Sequence, residues 1–301
     1  MTKQTENVPS APVTIDESGK AIEATEQSKS AESRGKSSQS SAHQVIQLAK
    51  NFALDGCLLP PEKQMPLADR VAKRARNHAQ RKQLNLEAII VKTISYCSSD
   101  TIAERVDPDW FSQYIELAQG VSQKTMQELW AKILAREVSQ PGSFSVKTLK
   151  VFQQLSVHDA KLLAKATAQA MRDKSAKQYR VLSGSYQVPS LFNTFDKKRE
   201  QKIDLGQQGL SYSDILTLAE NSLLFSQEAE SARLSKGQEL AYVFQGKNLI
   251  LQASKNNVVV QFYKFTPSGS ELARLISDNF NQASLTAITE QLAHHFNSRT
   301  S

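Results

Sequence analysis

The chain is poor in the residues that usually give a function away. It has two cysteines, Cys57 and Cys97, far apart in its 301 residues. That is too few for a disulfide framework and too distant for a local metal-ligand pair, so both read as small buried apolar side chains in a reducing compartment. Its eleven glycines form neither a Gly-x-x-x-x-Gly-Lys-Ser/Thr phosphate loop nor a Gly-x-Gly-x-x-Gly turn. Gly184-Ser185 lacks the second glycine of a nucleophile elbow. No apolar run approaches the roughly 18 residues of a membrane span. The longest, such as Ala88-Ile89-Ile90-Val91, are the size of core segments. The first residues lack the apolar stretch of a secretory signal, and lipidation motifs are missing, which leads to the expectation of a cytoplasmic protein. The histidines are His43, His78, His158, His294 and His295, and none stands four residues from another. No metal and no cofactor is therefore expected. His294 and His295 read as a surface pair near a helix end, where their charged forms suit the helix dipole.

What is present is a helical pattern with a mild basic excess. Apolar residues make up 40% of the chain, and the net charge is +7 with a pI near 9.3. That permits an acidic partner without requiring one. Residues 1–42 are polar, aperiodic and mixed in charge, the composition of a disordered tail. From His43 onward, Val45, Ile46, Leu48, Ala49 and Phe52 share a helical face. Two further helices are expected over 66–84 and 86–95, the first with a thin stripe of Leu67, Val71, Ala75 and Ala79. Asp107-Pro108 reads as an N-cap followed by proline in the first turn. Ser122 is expected to cap the strongest helix, with Met126, Leu129, Trp130, Ile133 and Leu134 on one face. Pro141-Gly142 stops it, and Ser143 or Ser145 caps the next. Ser156 with Asp159 resembles a capping box for a helix reaching about Met171.

Residues 172–209 read as a linker or irregular connection, with a short apolar patch at Leu191, Phe192 and Phe195. Beyond them Ser213 opens a short helix. Three runs then alternate at period two, around Leu240–Phe244, Leu249–Ala253 and Val258–Phe262, and predict a small antiparallel sheet. Thr266-Pro267 starts a helix, and a last helix holds Leu285, Ile288, Leu292 and Phe296. The expected fold is mainly α: a helical domain over 43–171, the connection 172–209, and a small α+β domain over 210–301. The last is either a winged-helix-like unit or a plain α+β cap.

Two adjoining segments, Glu128-Leu129-Trp130-Ala131-Lys132-Ile133-Leu134-Ala135 and Pro141-Gly142-Ser143-Phe144-Ser145-Val146-Lys147-Thr148-Leu149, together resemble a bacterial, proteobacterial family of conserved hypothetical proteins known as domain of unknown function 2806. Phe265-Thr266-Pro267-Ser268-Gly269-Ser270-Glu271-Leu272 is similar to the Leu-Thr-x-x-Gly-x-Glu-Leu ending of that family, with Phe265 in the leucine place. The resemblance covers about residues 120–275. It implies a bacterial cytoplasmic protein and brings no catalytic residues with it. Related helices in some abortive-infection proteins make phage defence a setting by analogy.

The sharpest functional feature is a basic helix. Arg70, Lys73, Arg74, His78 and Arg81 fall at three- and four-residue spacing on one face, and Asn77 and Gln80 stand between them. Such a row either tracks a phosphate backbone, or meets an acidic partner, or is a solvated helix face. Its apolar stripe is too weak to enter a membrane. Trp110, Phe111, Tyr114 and Trp130 carry helical spacing and read as core instead of a base-stacking platform. A nuclease-like set can be assembled from Pro108-Asp109, Asp196-Lys197-Lys198, Gln208 and Tyr212, but Pro108-Asp109 reads as a helix start. The leading reading is a non-enzymatic interaction or regulatory protein with a protein partner. The alternatives are a nucleic-acid-binding protein using the basic helix and a nuclease or phage-defence effector.

Overall fold

The computed structural model describes residues 40–97, 105–173, 178–189, 198–276 and 281–300. The expected tail up to residue 39, the patch Leu191, Phe192 and Phe195, and Asp196 lie outside them. The chain divides into two units, 1–81 and 82–301.

In the first unit, helix α1 spans Ser41–Asn51, and the Ser40 hydroxyl accepts from the His43 amide at 3.3 Å. Two short 3-10 turns follow, Asp55–Leu58 and Pro61–Lys63. Helix α2 then runs Leu67–Tyr96 and crosses from the first unit into the second. It is one helix where the sequence predicts two. Asn85, a weak helix former at the expected break, is buried and finds partners outside the helix. Its amide donates to the Gln119 carbonyl at 2.9 Å and to the Ser122 hydroxyl at 3.1 Å. Those bonds offset the propensity cost, and they take up the serine that the sequence assigned to capping.

The second unit opens with four helices: α3 (Pro108–Ala118), α4 (Lys124–Ser139), α5 (Val146–Gln154) and α6 (Val157–Gln169). Asp107 caps α3 ahead of Pro108, Ser145 caps α5, and Ser156 with Asp159 closes a full capping box on α6. Gln123, in place of Ser122, caps α4. The aromatic set is core as its spacing predicts. Trp130 and Tyr114 meet edge to face at 5.2 Å between ring centres, and Trp110 stacks on Tyr114 at 5.4 Å. Two of these rings have their polar ends satisfied, since the Tyr114 hydroxyl donates to the Trp130 carbonyl and the Trp110 indole to the Phe144 carbonyl, whereas the buried Trp130 indole N–H has no partner among the described residues. Glu137 is buried, and its carboxylate accepts from the amides of Gly142 and Phe144, which shapes the turn into α5.

The rest of the unit overturns the expectation of a mainly helical protein with a small α+β end. Strands β1 (Ala170–Asp173), β2 (Tyr179–Gln187), β3 (Glu200–Lys202), β4 (Leu224–Glu230), β5 (Glu239–Phe244), β6 (Lys247–Ala253), β7 (Val258–Phe265) and β8 (Phe296–Thr300) form one eight-stranded sheet. Every pairing is antiparallel, in the order β4-β7-β2-β1-β5-β6-β8, with β3 beside β2. Helices α7 (Tyr212–Glu220), α8 (Pro267–Ala273) and α9 (Gln282–Leu292) complete it. The three strands read from the sequence exist, but they do not form a meander. β5 and β6 pair as a hairpin, whereas β7 pairs with β2 and β4. No winged helix results.

β6 and β7 are joined by residues 254–257 only, yet β5, β1 and β2 lie between them. On a flat sheet they would stand about 19 Å apart. A link that short, turning at Asn257 with φ 61°, does not reach that far, so the sheet coils. Helix α9 packs on β2, β3 and β8, and α6 packs on β1, β2, α7 and α8. One continuous hydrophobic core runs from Ile89 in α2 to Phe296 in β8.

Two predictions follow from this packing. A Cβ at Gly184 in β2 would collide with the backbone carbonyl of Gln201 in β3. Gly184→Ala is expected to cost about 1–3 kcal/mol of stability, read by denaturant unfolding. In the same unit, Lys92 donates to Glu128 at 2.6 Å, and the Tyr96 hydroxyl donates to its other oxygen at 2.6 Å. The Lys92 bond first, and the Tyr96 bond second, hold the Glu128 carboxyl below its usual range. A depressed folded pKa adds stability above the unfolded value, and that stability is lost as pH falls through the folded one. Lys92→Met is therefore expected to raise the Glu128 titration midpoint measured by NMR.

Candidate functional site

The basic face lies in the first unit. Helical geometry puts positions 70, 74, 77, 78 and 81 of α2 along one side. The half-buried Arg70 lies across the turn at Gly56, where a Cβ would come within 2.8 Å of its Cδ. Lys73, Arg74 and His78 are exposed. Arg81 folds over the ring of Phe52, just past the end of α1, with its guanidinium carbon 4.0 Å from the ring centre. Phe52, Arg74, Asn77, His78 and Arg81 line a hollow of about 200 Å³. The structure thus brings together Arg74, His78 and Arg81 from the expected row, while Arg70 and Lys73 stand outside the lining. No carboxylate lines the hollow, so two guanidinium groups, an imidazole and an amide converge there around one aromatic ring.

Phe52 is the member that sequence reasoning misplaces, because its helical phase reads as core. Among the described residues nothing covers that phase within the unit. Val45, Leu48 and Phe52 recur on one side of α1 and are 63%, 58% and 46% exposed. No residue of α1 is buried. Leu54, Leu58, Leu59, Met65, Leu67 and Val71 are exposed as well, and among the described residues of this unit Ala53 is the one buried apolar side chain. Residues 40–81 carry seven lysines and arginines against three carboxylates. An extended apolar surface edged with positive charge is the makeup of an interaction site.

Elsewhere the structure corrects several expectations. Cys57 and Cys97 are exposed free thiols, since they sit in the partnerless stretch and at the end of α2 instead of in the core. His295 is fully buried and belongs to no surface pair, because α9 ends at Leu292 and the chain turns inward into β8. His295 Nδ1 and the Ser185 hydroxyl lie 2.8 Å apart, and Ser185 is fully buried too. The pair ties β2 to the segment after α9. A serine beside a histidine invites a hydrolase reading, but nothing reaches a nucleophile with no exposed surface. Pro108-Asp109 begins α3, with the Asp107 carboxylate accepting from the Asp109 amide at 2.8 Å. Among the described residues no group of three or more His, Cys, Asp or Glu side chains is arranged to hold a metal ion. No helix among them is long and apolar enough to cross a membrane.

Because Ser185 has no exposed surface, a fluorophosphonate probe is expected to leave it unlabelled in the native protein, as judged by mass spectrometry. Labelling at Ser185 would contradict a purely structural role for the pair.

Known proteins place the chain by family alone. A family model described as a protein of unknown function (DUF2806) matches residues 69–289. No curated protein and no solved structure matches the chain. The match begins in the basic half of α2, takes in the segments 128–149 and 265–272, and ends in α9. It covers well over half of the sequence, and the chain therefore belongs to this family of proteins of unknown function, DUF2806.

Proposed function

We propose that the chain is a non-enzymatic interaction protein whose first unit docks an acidic, amphipathic segment of another protein. The observation that carries this is α1. It is patterned as an amphipathic helix, yet none of its residues is buried. A helix of eleven residues draws little stability from propensity alone and is normally held by the packing of its apolar side. Here that side is exposed, together with the leucines of the following turns. A partner that covers Val45, Leu48 and Leu58 while placing carboxylates against Arg74, His78 and Arg81 satisfies both features at once.

A second reading, nucleic acid, is favoured by the hollow alone. Its guanidinium groups suit phosphate, and the Phe52 ring suits a stacked base. The aliphatic surface supports the protein partner over the nucleic acid, because phosphate recognition has no use for exposed leucines.

The test places a photo-cross-linking residue at Leu48 of the full chain in its native cell. The captured protein is then purified and its affinity measured directly. Arg74→Glu with Arg81→Glu, and separately Leu48→Asp, are each expected to weaken the rebuilt complex roughly tenfold or more. Binding of labelled DNA or RNA that falls steeply with salt, is lost in the double charge reversal and is indifferent to Leu48→Asp would replace this reading with the nucleic-acid one.

A further inference from the structure

A second site lies in the other unit, on β2. The register between β2 and β7 slips by one residue: Leu182 faces Phe262, and Gly184 faces Gln261. Ser183 is therefore the extra residue of a β-bulge, a device that re-aims a side chain out of the ladder. β3 holds the bulge in place. The Ile203 amide donates to the Ser183 carbonyl at 2.8 Å, and the missing side chain of Gly184 lets the Gln201 carbonyl approach. Ser183 lines a cleft of about 450 Å³, while its hydroxyl is turned away from solvent and has no hydrogen-bond partner among the described residues.

The other walls of the cleft are placed by the sheet. Glu228 in β4 stands directly opposite Tyr263 in β7, and Gln261 lies two residues before Tyr263. All three therefore project from one face. Glu230 faces Gln261 on that same face, and the Tyr186 hydroxyl donates to it at 2.9 Å. Glu228 has no hydrogen bond or ion pair among the described residues. Tyr212, in the first turn of α7, lines the cleft from the side. Burial first, and then the charge of Glu228, push the Tyr263 hydroxyl above its ordinary pKa, in keeping with a carboxylate held close to it. The lining carries three carboxylates against one ammonium. That ammonium, Lys202, is paired with Glu200 at 3.2 Å, and Asp204 accepts from the Gln207 amide at 3.0 Å. Asp204 and Glu228 are the lining carboxylates without a cationic partner among the described residues, and Glu228 is the one that stands beside Tyr263.

We propose that this cleft binds a primary amine of the polyamine type, with Glu228 as its counter-charge, the Gln261 carbonyl as an acceptor for its N–H groups, and Tyr212 and Tyr263 as aromatic walls. A carboxylate beside aromatic faces attracts an organic cation. An amine whose N–H groups point at fixed acceptors is distinguished from a cation that has none.

The experiment is isothermal titration calorimetry of the full-length protein, freed of nucleic acid, with spermidine and, separately, tetramethylammonium chloride. Spermidine is expected to bind at one site. Glu228→Gln should weaken it by roughly tenfold or more. Tetramethylammonium, which has no N–H, should bind at least roughly tenfold more weakly than spermidine. Tyr212→Ala, a change at an exposed helix start, provides a second variant that weakens spermidine without touching the sheet. No binding of spermidine, unchanged affinity in Glu228→Gln and Tyr212→Ala, or equal affinity for tetramethylammonium would each overturn the proposal.

Discussion

The second unit depends on strand β2, which shares one edge between two partners. Its first residues pair with β1 and its last with β3, while its other edge runs the length of β7. The register against β7 slips at Ser183, between the stretch that pairs with β1 and the stretch that pairs with β3, and a bulge bends the strand there. The bend lets the sheet coil, and the coil lets so short a link join β6 to β7. Gly184 is needed because β3 crosses too closely for any side chain. The buried Ser185–His295 pair then fastens the bent strand to the end of α9.

The helices are attached to this sheet by polar groups that find partners as well as by apolar contact. Ser145 and Thr148 at the start of α5 meet Glu271 and Ser268 of α8. Thr266 caps α8 through the Gly269 amide and donates to the Ser222 carbonyl, which joins the start of α8 to the turn before β4. Gly269 admits the Leu223 backbone where a side chain would block it. Buried groups satisfied in this way define one packing arrangement, since any other would leave them unpaired at a cost of about 1–3 kcal/mol each.

The first unit is built on the opposite principle. Its first helix is capped by Ser40, but its described apolar residues face outward and its positive charges gather beside them. Among the described residues the second unit buries an extensive apolar core, whereas the first buries Ala53. That asymmetry is why docking is assigned to the first unit and a small polar ligand to the cleft on β2.

The local signals in the sequence were sufficient where the physics is local. Asp107-Pro108, Ser145, the Ser156–Asp159 box and Thr266-Pro267 mark helix starts because a cap needs only its neighbours. Trp110 and Tyr114 on α3, and Trp130 on α4, read as core because each sits on the apolar face of its own helix. The family resemblance rested on α4, the start of α5 and the segment from the end of β7 into α8. Tertiary structure decided the rest. β1 continues the apolar phase of α6 through Met171, and only pairing with β2 and β5 makes it a strand. β4 and β8 are polar edge strands with no alternation to read. In β2, Gly184 and its flanking serines read as a break, yet they form a bulge because distant strands supply the hydrogen bonds. The row from Arg70 to Arg81 was visible as charge, but its hollow needed Phe52 from another helix. Charge, caps and periodicity are written along the chain, whereas strand pairing and cavities depend on residues far apart in sequence, and only folding brings those together.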